Sequence, residues 1–271
     1  MSGRIFRSDS ARFSQTANGM RPRARQGGMM MDTYQKPRPE CETPSVCRAC
    51  EARHGGLCSV LTAAQMIELN RHSIRRRIEA GNEIIGQGEP VGSYGNILKG
   101  VIKLSKMMAD GRQQIVGLQF APDFLGRPFQ GESSITAEAA TDTEICTFPR
   151  HVIDRMVGDV PHMERMLHAQ ALKELDEARD WMLTLGRKTA QEKVASFLYL
   201  IATHIDPENA DASTFDLPLS RADIADFLGL TIETVSRQMT KLRKDSIIVI
   251  ENNRHVVVPN TERLRDAAGI D

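Results

Sequence analysis

The sequence contains five cysteines, and three of them stand close together. Cys47, Cys50 and Cys58 form the spacing Cys-x2-Cys-x7-Cys, with Cys41 just before them and Cys146 far downstream. No apolar pattern between them predicts a core that would bury them as ordinary hydrophobic residues. Thiolates so spaced are typical of metal or cluster ligation, and four are the usual set for zinc or a cubane iron–sulfur cluster. The spacing does not choose between the two. A reversible dithiol at Cys47 and Cys50 is a third interpretation, although no βαβ pattern accompanies it.

A second group of side chains suited to chemistry lies near the C-terminus, on the outer face of a helix predicted within residues 220–244. These side chains are Glu233, Ser236, Arg237 and Lys241. Arginine donates two hydrogen bonds to guanine, glutamate accepts one from cytosine, and serine contacts a thymine methyl group or a phosphate. The pattern therefore indicates the reading of base edges in DNA. The alternative is a solvated helix pair in an ordinary helical domain.

The surrounding residues predict a helix-turn-helix that would position this face. Ser220 is expected to cap the first helix, Gly229 to end it, and Thr231 to cap the second. Ala225, Gly229 and Val235 stand at relative positions 5, 9 and 15, where the motif needs a small residue, a turn glycine and a core aliphatic. The predicted inner faces consist of Ile224, Ala225, Phe227 and Leu228 in the first helix and Val235, Met239 and Leu242 in the second.

A hairpin is predicted directly after the second helix. The β-prone runs at residues 247–250 and 255–258 flank Asn252-Asn253, which is a turn dipeptide. A helix-turn-helix followed by a hairpin is a winged helix. Residues 190–204 are expected to form the first helix of this DNA-binding domain, which we place at residues 187–271, with residues 186–189 as the hinge before it.

Length, composition and charge limit the class of protein. The chain has 271 residues, of which 41% are hydrophobic, so it has room for about two domains with their cores. No run reaches the length of a membrane span and no secretory signal is present, so we expect a soluble cytoplasmic protein with ligand or redox cysteines.

The C-terminal part of the chain carries no excess of positive charge. From Gly186 onward, it contains 11 Lys and Arg and 13 Asp and Glu. DNA affinity must therefore come from the local placement of Arg237, Lys241, Arg243 and Lys244.

Residues 1–40 are rich in arginine and show no apolar periodicity, which predicts a disordered basic tail. Such a leader also resembles an organelle transit peptide, and phosphate contact by the tail is a further option. The consecutive Met29, Met30 and Met31 raise a simpler alternative. If translation starts there, the first 28 residues are not part of the protein.

Residues 41–160 are predicted to hold the cysteine segment and a β-roll. An amphipathic helix is expected at residues 61–75, followed by short strands separated by glycines. Many short strands with glycine turns are typical of an antiparallel barrel or roll, whose interior is either a pocket or filled by side chains. The predicted strands cover residues 83–85, 97–106, 114–120, 135–140 and 144–148.

A long helix is predicted at residues 162–185 and is assigned to a dimerisation element spanning 161–186. Small and apolar residues recur along it at spacings of 4, 3, 4 and 3, which is the heptad pattern of helices that pair in parallel. The alternative is a helix that packs only on its own roll. The seam consists of Ala171, Leu175, Ala178, Met182 and Leu185.

Roll, long helix and winged helix in this order make an α+β chain that resembles the CRP/FNR superfamily of bacterial transcription regulators from Cys41 onward. Cys47-x2-Cys50-x7-Cys58, together with Cys146 in Glu-Ile-Cys-Thr-Phe-Pro, resembles the FNR branch. Asp-Phe-Leu-Gly-Arg-Pro at 123–128 and the stretch at 178–190 are similar to its alphaproteobacterial members.

The resemblance implies specific roles. Cys47, Cys50, Cys58 and Cys146 would hold an oxygen-labile 4Fe-4S cluster that favours a homodimer. Glu233, Ser236 and Arg237 would read half-sites of the form TTGAT in an inverted repeat of double-stranded promoter DNA. Exposed roll turns such as residues 107–112 would contact RNA polymerase.

The resemblance also separates this chain from the relatives that bind cyclic AMP. Those relatives present an Arg-Ser pair to the cyclic phosphate, whereas the corresponding stretch Gly-Glu-Ser-Ser-Ile-Thr-Ala has Ile135-Thr136. A phosphate buried without an arginine would cost several kcal/mol, so we expect no cyclic nucleotide. Other regulators of this fold gated by a cyclic nucleotide, haem or zinc are the rival interpretations. An enzyme is not expected, and Cys41 is a spare thiol that could substitute as a ligand.

Overall fold

The computed structural model describes residues 43–205 and 212–270. The basic tail predicted at residues 1–40, the alternative start at Met29, Met30 or Met31, and Cys41 lie outside the described residues. Within the described part of the chain, no helix is both long and apolar enough to cross a membrane.

The described chain folds into an N-terminal roll, a long helix and a C-terminal winged helix-turn-helix, as the sequence predicted. Two short 3-10 turns, at Glu51–Arg53 and Leu57–Val60, follow the first helix. In chain order, the helices and strands are α1 (Ser45–Arg48), α2 (Ala63–Arg71), β1 (Ile74–Ile78), β2 (Glu83–Ile85), β3 (Ser93–Lys99), β4 (Val101–Met107), β5 (Gln113–Phe120), β6 (Phe124–Leu125), β7 (Thr136–Ala139), β8 (Thr143–Pro149), α3 (Arg150–Asp159), α4 (Pro161–Arg187), α5 (Ala190–Ile205), β9 (Ser213–Asp216), α6 (Arg221–Leu228), α7 (Ile232–Lys244), β10 (Val249–Glu251), β11 (His255–Val258) and α8 (Thr261–Ala267).

The roll consists of two four-stranded antiparallel sheets. Their strand orders are β1-β8-β3-β6 and β2-β7-β4-β5. Ile97 and Ile145 of the first sheet pack against Ile102 and Ala137 of the second, so a small apolar core lies between the sheets. A third sheet, with order β10-β11-β9, forms the wing. The positive φ angles of Asn252 and Asn253 make the predicted hairpin turn.

Two sequence predictions in the roll were wrong. The run 97–106, predicted as one strand, is divided between β3 and β4 at Gly100, whose φ of +93° reverses the chain. A Cβ at Gly100 would lie 2.6 Å from Thr143 Oγ1, so only glycine fits. The helix predicted at 61–75 stops at Arg71, and Ile74 already begins the edge strand β1. The sequence prediction also did not include β6, α3, β9 and α8.

The roll and the long helix α4 both pack directly on α6, the first helix of the helix-turn-helix. The Trp181 ring of α4 lies 4.4 Å from the Phe227 ring of α6, centroid to centroid. Lys103 Nζ of β4 lies 2.9 Å from Glu138 Oε1 of β7 and 2.9 Å from Asp223 Oδ1 of α6. Although burial alone would lower the pKa of Lys103, its hydrogen bonds to the two carboxylates raise it. A partly buried lysine with two carboxylates therefore joins the two halves of the chain.

The long helix α4 starts beside the first sheet and ends at the DNA-binding domain. Pro161 occupies its first turn, where a missing N–H costs nothing, and Met163 is fully buried in the core beneath the cysteine segment. The helix covers 27 residues, three more than the predicted 162–185. Its C-cap is Lys188, and α5 begins two residues later.

Candidate cysteine centre and DNA interface

The fold brings four cysteines from two remote parts of the chain to one side of the roll. Cys47 lies in α1, Cys50 follows it, Cys58 lies in the second 3-10 turn, and Cys146 lies in β8. All four are free, partly buried thiols. Cys47, Cys58 and Cys146 pack against the same apolar cluster. Because Cys41 lies outside the described residues, the structure says nothing of its place.

Tight packing holds the cysteine segment on the roll. Ala52 and Leu57, which lie between the cysteines, are buried. Gly56 approaches the turn before β6 so closely that a Cβ there would lie 2.7 Å from the carbonyl oxygen of Pro122. Arg75 of β1 donates from Nη2 to the carbonyl of Val46 at 2.8 Å. Three contacts therefore hold the segment on the roll: the buried side chains of Ala52 and Leu57, the close backbone approach at Gly56, and the hydrogen bond from Arg75.

Two asparagines contact the thiols, and the sequence prediction missed both. Asn96 Nδ2 donates to Cys58 Sγ at 3.2 Å, and Cys47 Sγ donates to Asn70 Oδ1 at 3.7 Å. Asn96 stands directly opposite Cys146 in the pairing of β3 with β8. The available signal was a polar residue in the otherwise core-facing strand 94–97, but assigning it to the site requires the strand register.

The thiols influence one another electrostatically. Burial and, to a smaller extent, the nearby Cys146, Cys50 and Cys47 raise the pKa of Cys58 to about 12, although the Asn96 hydrogen bond opposes the shift. Burial also raises the pKa values of Cys146 and Cys47. A hydrogen bond from Ser73 lowers the pKa of Cys146 and so opposes its shift. Four thiolates gathered here would repel one another, so the arrangement favours a cationic centre that neutralises them.

The chemistry of the four donors fits a thiolate-bound cofactor. Among residues 43–205 and 212–270, no group of three or more His, Cys, Asp or Glu side chains is arranged to coordinate a single metal ion. A cubane cluster differs from a single ion because each thiolate binds a different iron atom, so its ligands stand farther apart. The thiols are thus close enough to interact, yet are not arranged around a single ion.

The predicted helix-turn-helix is present, with the expected caps. Ser220 and Asp223 form a capping box at the start of α6, Gly229 ends it with a φ of +60°, and the Thr231 side chain caps α7. The inner-face residues predicted for both helices are buried. Their burial fixes which side of α7 faces outward.

The four predicted DNA contacts all lie on the exposed side of α7. Glu233, Ser236, Arg237 and Lys241 are exposed, and the last three border one shallow concavity with Thr240. The backbone N–H of Glu233 itself and the Thr231 hydroxyl lower the pKa of Glu233, so its carboxylate is an acceptor. The face offers an acceptor near the start of the helix and cationic donors towards its end.

The predicted dimerisation seam is exposed in the single chain. All five seam positions, Ala171, Leu175, Ala178, Met182 and Leu185, are solvent-accessible, with Met182 70% exposed. Leu172 and Leu183, which the heptad prediction did not include, are 62% and 59% exposed. The apolar face of α4 is therefore wider than a strict heptad seam.

A cavity of about 190 Å³ lies inside the roll. Arg127 borders it and donates to Ser134 Oγ at 3.3 Å, a feature that the sequence prediction missed. Among the described residues, Glu89, Glu132 and Glu174 also line the cavity, so its wall has three carboxylates and the one guanidinium group of Arg127. This balance disfavours an anionic phosphate.

Comparison with known proteins places these features in one family. Residues 75–159 match the cyclic nucleotide-binding domain, and residues 192–267 match the Crp-like helix-turn-helix domain. A protein described as a probable transcriptional activator from Rhizobium leguminosarum bv. viciae is 65% identical over 225 residues, covering 83% of this chain and 94% of that protein. The transcriptional activator protein FnrL of Cereibacter sphaeroides is 39% identical, covering 85% and 96%. The chain belongs to the CRP/FNR superfamily.

This CRP/FNR regulator is also similar to a solved structure, that of FixK2 from Bradyrhizobium japonicum. The two share 35% identity with a TM-score of 0.65, over 72% of this chain and 96% of that one. Within the superfamily, the chain is an FNR-type transcription regulator that binds DNA through its helix-turn-helix, and it is not an enzyme.

Proposed function

We propose that this regulator senses oxygen through a 4Fe-4S cluster held by Cys47, Cys50, Cys58 and Cys146. The observation that carries the proposal is the convergence of four free thiols from two remote segments on one side of the roll. When bound, the cluster would supply an oxygen-sensitive link between the cysteine segment and β8. Four thiolates with no other ligand type are the usual donor set for such a cluster.

The cysteine segment contacts the same apolar cluster as the start of the long helix, so its attachment to β8 would affect that helix. The apolar cluster under Cys47, Cys58 and Cys146 also contains Met163 of α4, with Met166 and Leu167 packed against it. Tethering the segment to β8 would hold this cluster together and bias the position of α4. Loss of the cluster would leave only the packing of the segment on the roll and would remove that bias.

We propose that two copies pair in parallel through the exposed apolar face of α4. Ala171 and Ala178 bury little area, so the pair would be marginal by itself, with Leu175, Met182 and Leu185 contributing most of the contact. Marginal pairing suits a switch, because a small change in conformational free energy then makes or breaks the dimer.

In the paired state, the two α7 helices would read an inverted repeat of TTGAT half-sites. Arg237 is assigned to guanine and Glu233 to cytosine on the opposite strand, and Ser236 to a thymine or a phosphate. Lys241, on the same exposed face, would contact a phosphate. Two recognition helices about one DNA turn apart match half-sites in adjacent major grooves.

The remaining partners are assigned by position. Residues 107–112 cover the last residue of β4 and the turn to β5, and Met107 and Met108 there are more than half exposed. We propose this segment as a contact for RNA polymerase. No cyclic nucleotide is proposed, because three glutamates border the roll cavity together with Arg127.

Replacement of Cys50 by serine tests the cluster. Anaerobically purified Cys50→Ser protein should lack the visible absorbance of the wild type and should not bind a TTGAT duplex, because one of four ligands is lost. Cys41→Ser is the matched control and should keep both properties. A colourless wild type with stoichiometric zinc would instead support a structural zinc site, and a Soret band would support haem.

A further inference from the structure

Asn96 is a buried amide in direct contact with a proposed cluster ligand. Its side chain is 1% exposed, and its Nδ2 donates to Cys58 Sγ at 3.2 Å. Its Oδ1 is buried without a hydrogen-bond partner among the described residues. In strand pairing, Asn96 stands directly opposite Cys146 and directly opposite Phe124 on its other side. The amide therefore bonds to a cysteine of the N-terminal segment while its residue pairs with Cys146 of β8.

The fold itself gives no reason for an amide here. The core that holds Cys58 and Cys146 is built from apolar residues such as Tyr94, Phe124 and Phe148. A buried carbonyl oxygen without a partner destabilises the folded chain, and an aliphatic side chain of the same shape would avoid that cost. What the amide adds is the N–H bond to Cys58 Sγ.

The contact of Asn96 differs in direction from the other asparagine contact at the site. Cys47 Sγ donates to Asn70 Oδ1, which needs a protonated thiol. A cysteine that binds a metal has lost its proton, so this bond as it stands belongs to the metal-free chain. Asn96 is the donor towards Cys58, and a donor bond becomes stronger when its sulfur acceptor carries negative charge. The Asn96 contact is thus compatible with ligation.

We propose that Asn96 is a positioning residue for the cluster, holding Cys58 Sγ in place as a ligand and slowing the loss of iron. The inference rests on the cluster assignment made above and adds a residue outside the four ligands. Hydrogen bonds to the sulfur ligands are a principal means by which proteins tune such clusters. Asn96 accordingly acts through Cys58 and does not itself bind iron.

The test compares iron release with the stability of the metal-free chain. Full-length wild type and Asn96→Leu are reconstituted with iron and sulfide without oxygen, and a ferrous chelator is added under argon. Loss of visible absorbance should be about tenfold faster in Asn96→Leu, the lower end of the effect of removing a hydrogen-bond partner of a metal ligand. The melting temperature of metal-free Asn96→Leu should equal or exceed that of the wild type.

Gln119→Met is the matched control. Gln119 is also a buried amide with an unpartnered carbonyl oxygen, but its Nε2 donates to Glu174 of α4 at 3.4 Å, not to a cysteine. It should release iron at the wild-type rate. Asn96→Ser, whose shorter side chain removes the amide donor, is a second variant in case Asn96→Leu does not fold.

The possible results distinguish a failure of the role proposed for Asn96 from a failure of the cluster assignment. Release rates within twofold of the wild type in the folded Asn96 variants would overturn the role of Asn96 and leave the cluster assignment standing. Equally fast release from Gln119→Met would also overturn it, by showing a general loosening. A wild type that takes up no iron and sulfide would refute the cluster site, and the role of Asn96 with it.

Discussion

Replacing Lys103 by methionine should destabilise the chain by breaking the charged contact between the roll and the helix-turn-helix. Methionine keeps the length and apolar stem of the lysine but removes the ammonium group that lies 2.9 Å from both Glu138 and Asp223. The two carboxylates then face each other without a cation. The serine cap of α6 still holds Asp223, so the loss falls on the contact between the two halves of the chain.

The magnitude follows from the exposure of the three side chains. Breaking a fully buried ion pair costs about 3–5 kcal/mol, whereas exposed pairs contribute about 0–1 kcal/mol. The side chains of Lys103, Asp223 and Glu138 are 13%, 23% and 30% exposed, which places the contact between these limits. We expect a loss of about 2 kcal/mol in the free energy of unfolding and a decrease of about 4–8 °C in melting temperature.

Urea and thermal unfolding followed by circular dichroism measure this loss, with Lys106→Met on the same strand as the exposed control. Asp223→Asn and the double variant complete a mutant cycle, in which the coupling between Lys103 and Asp223 should reach about 1 kcal/mol. Additive effects of the two substitutions, or a loss no larger than that of Lys106→Met, would refute the reasoning.

The remaining predictions concern the DNA interface, the helix pair and the thiols. Arg237→Ala should weaken binding to a TTGAT duplex by about 1–3 kcal/mol in fluorescence anisotropy and should change binding to random DNA little. Lys241→Ala should weaken binding to both DNAs alike. An equal loss on both DNAs for Arg237→Ala would show that Arg237 does not read bases. Leu175→Asp places like charges across the proposed parallel pair and should shift the protein towards monomer in analytical ultracentrifugation; an unchanged dimer would place the seam elsewhere. Because the pKa of Cys58 is raised from 9.0 to about 12, the unfolded chain loses this proton first, so the free energy of unfolding of the metal-free protein should fall as pH rises above about 9. Urea titrations from pH 7 to about 10.5 should show this fall, and it should be smaller in Cys58→Ser.

The helix-turn-helix could be predicted from sequence because its signals are local. Ser220 and Thr231 cap their helices through residues three positions away, and Gly229 ends the first helix by adopting a backbone that favours glycine. Helical periodicity then determines which residues face inward. Each signal lies within a few positions of the element that it defines, so no long-range contact was needed.

The surroundings of the cysteines could not be predicted because they depend on strand pairing. Cys146 meets Asn96 on β3 and Arg75 on β1 only through the register of the first sheet. The strand that carries Arg75 was itself missed, because an edge strand with the sequence Ile-Arg-Arg-Arg-Ile lacks the apolar alternation of a half-buried strand. Similarly, nothing near Lys103 in the sequence indicates a contact with Asp223.

The continuous helix α4 connects the proposed cluster site to the DNA-binding domain over a long distance. At 1.5 Å per residue, 27 helical residues extend about 40 Å. A tilt of roughly 5° about Met163 would displace the far end by about 3 Å, close to the rise of one base pair. A small tilt of α4 would therefore be enough to move α7 out of register with its half-site.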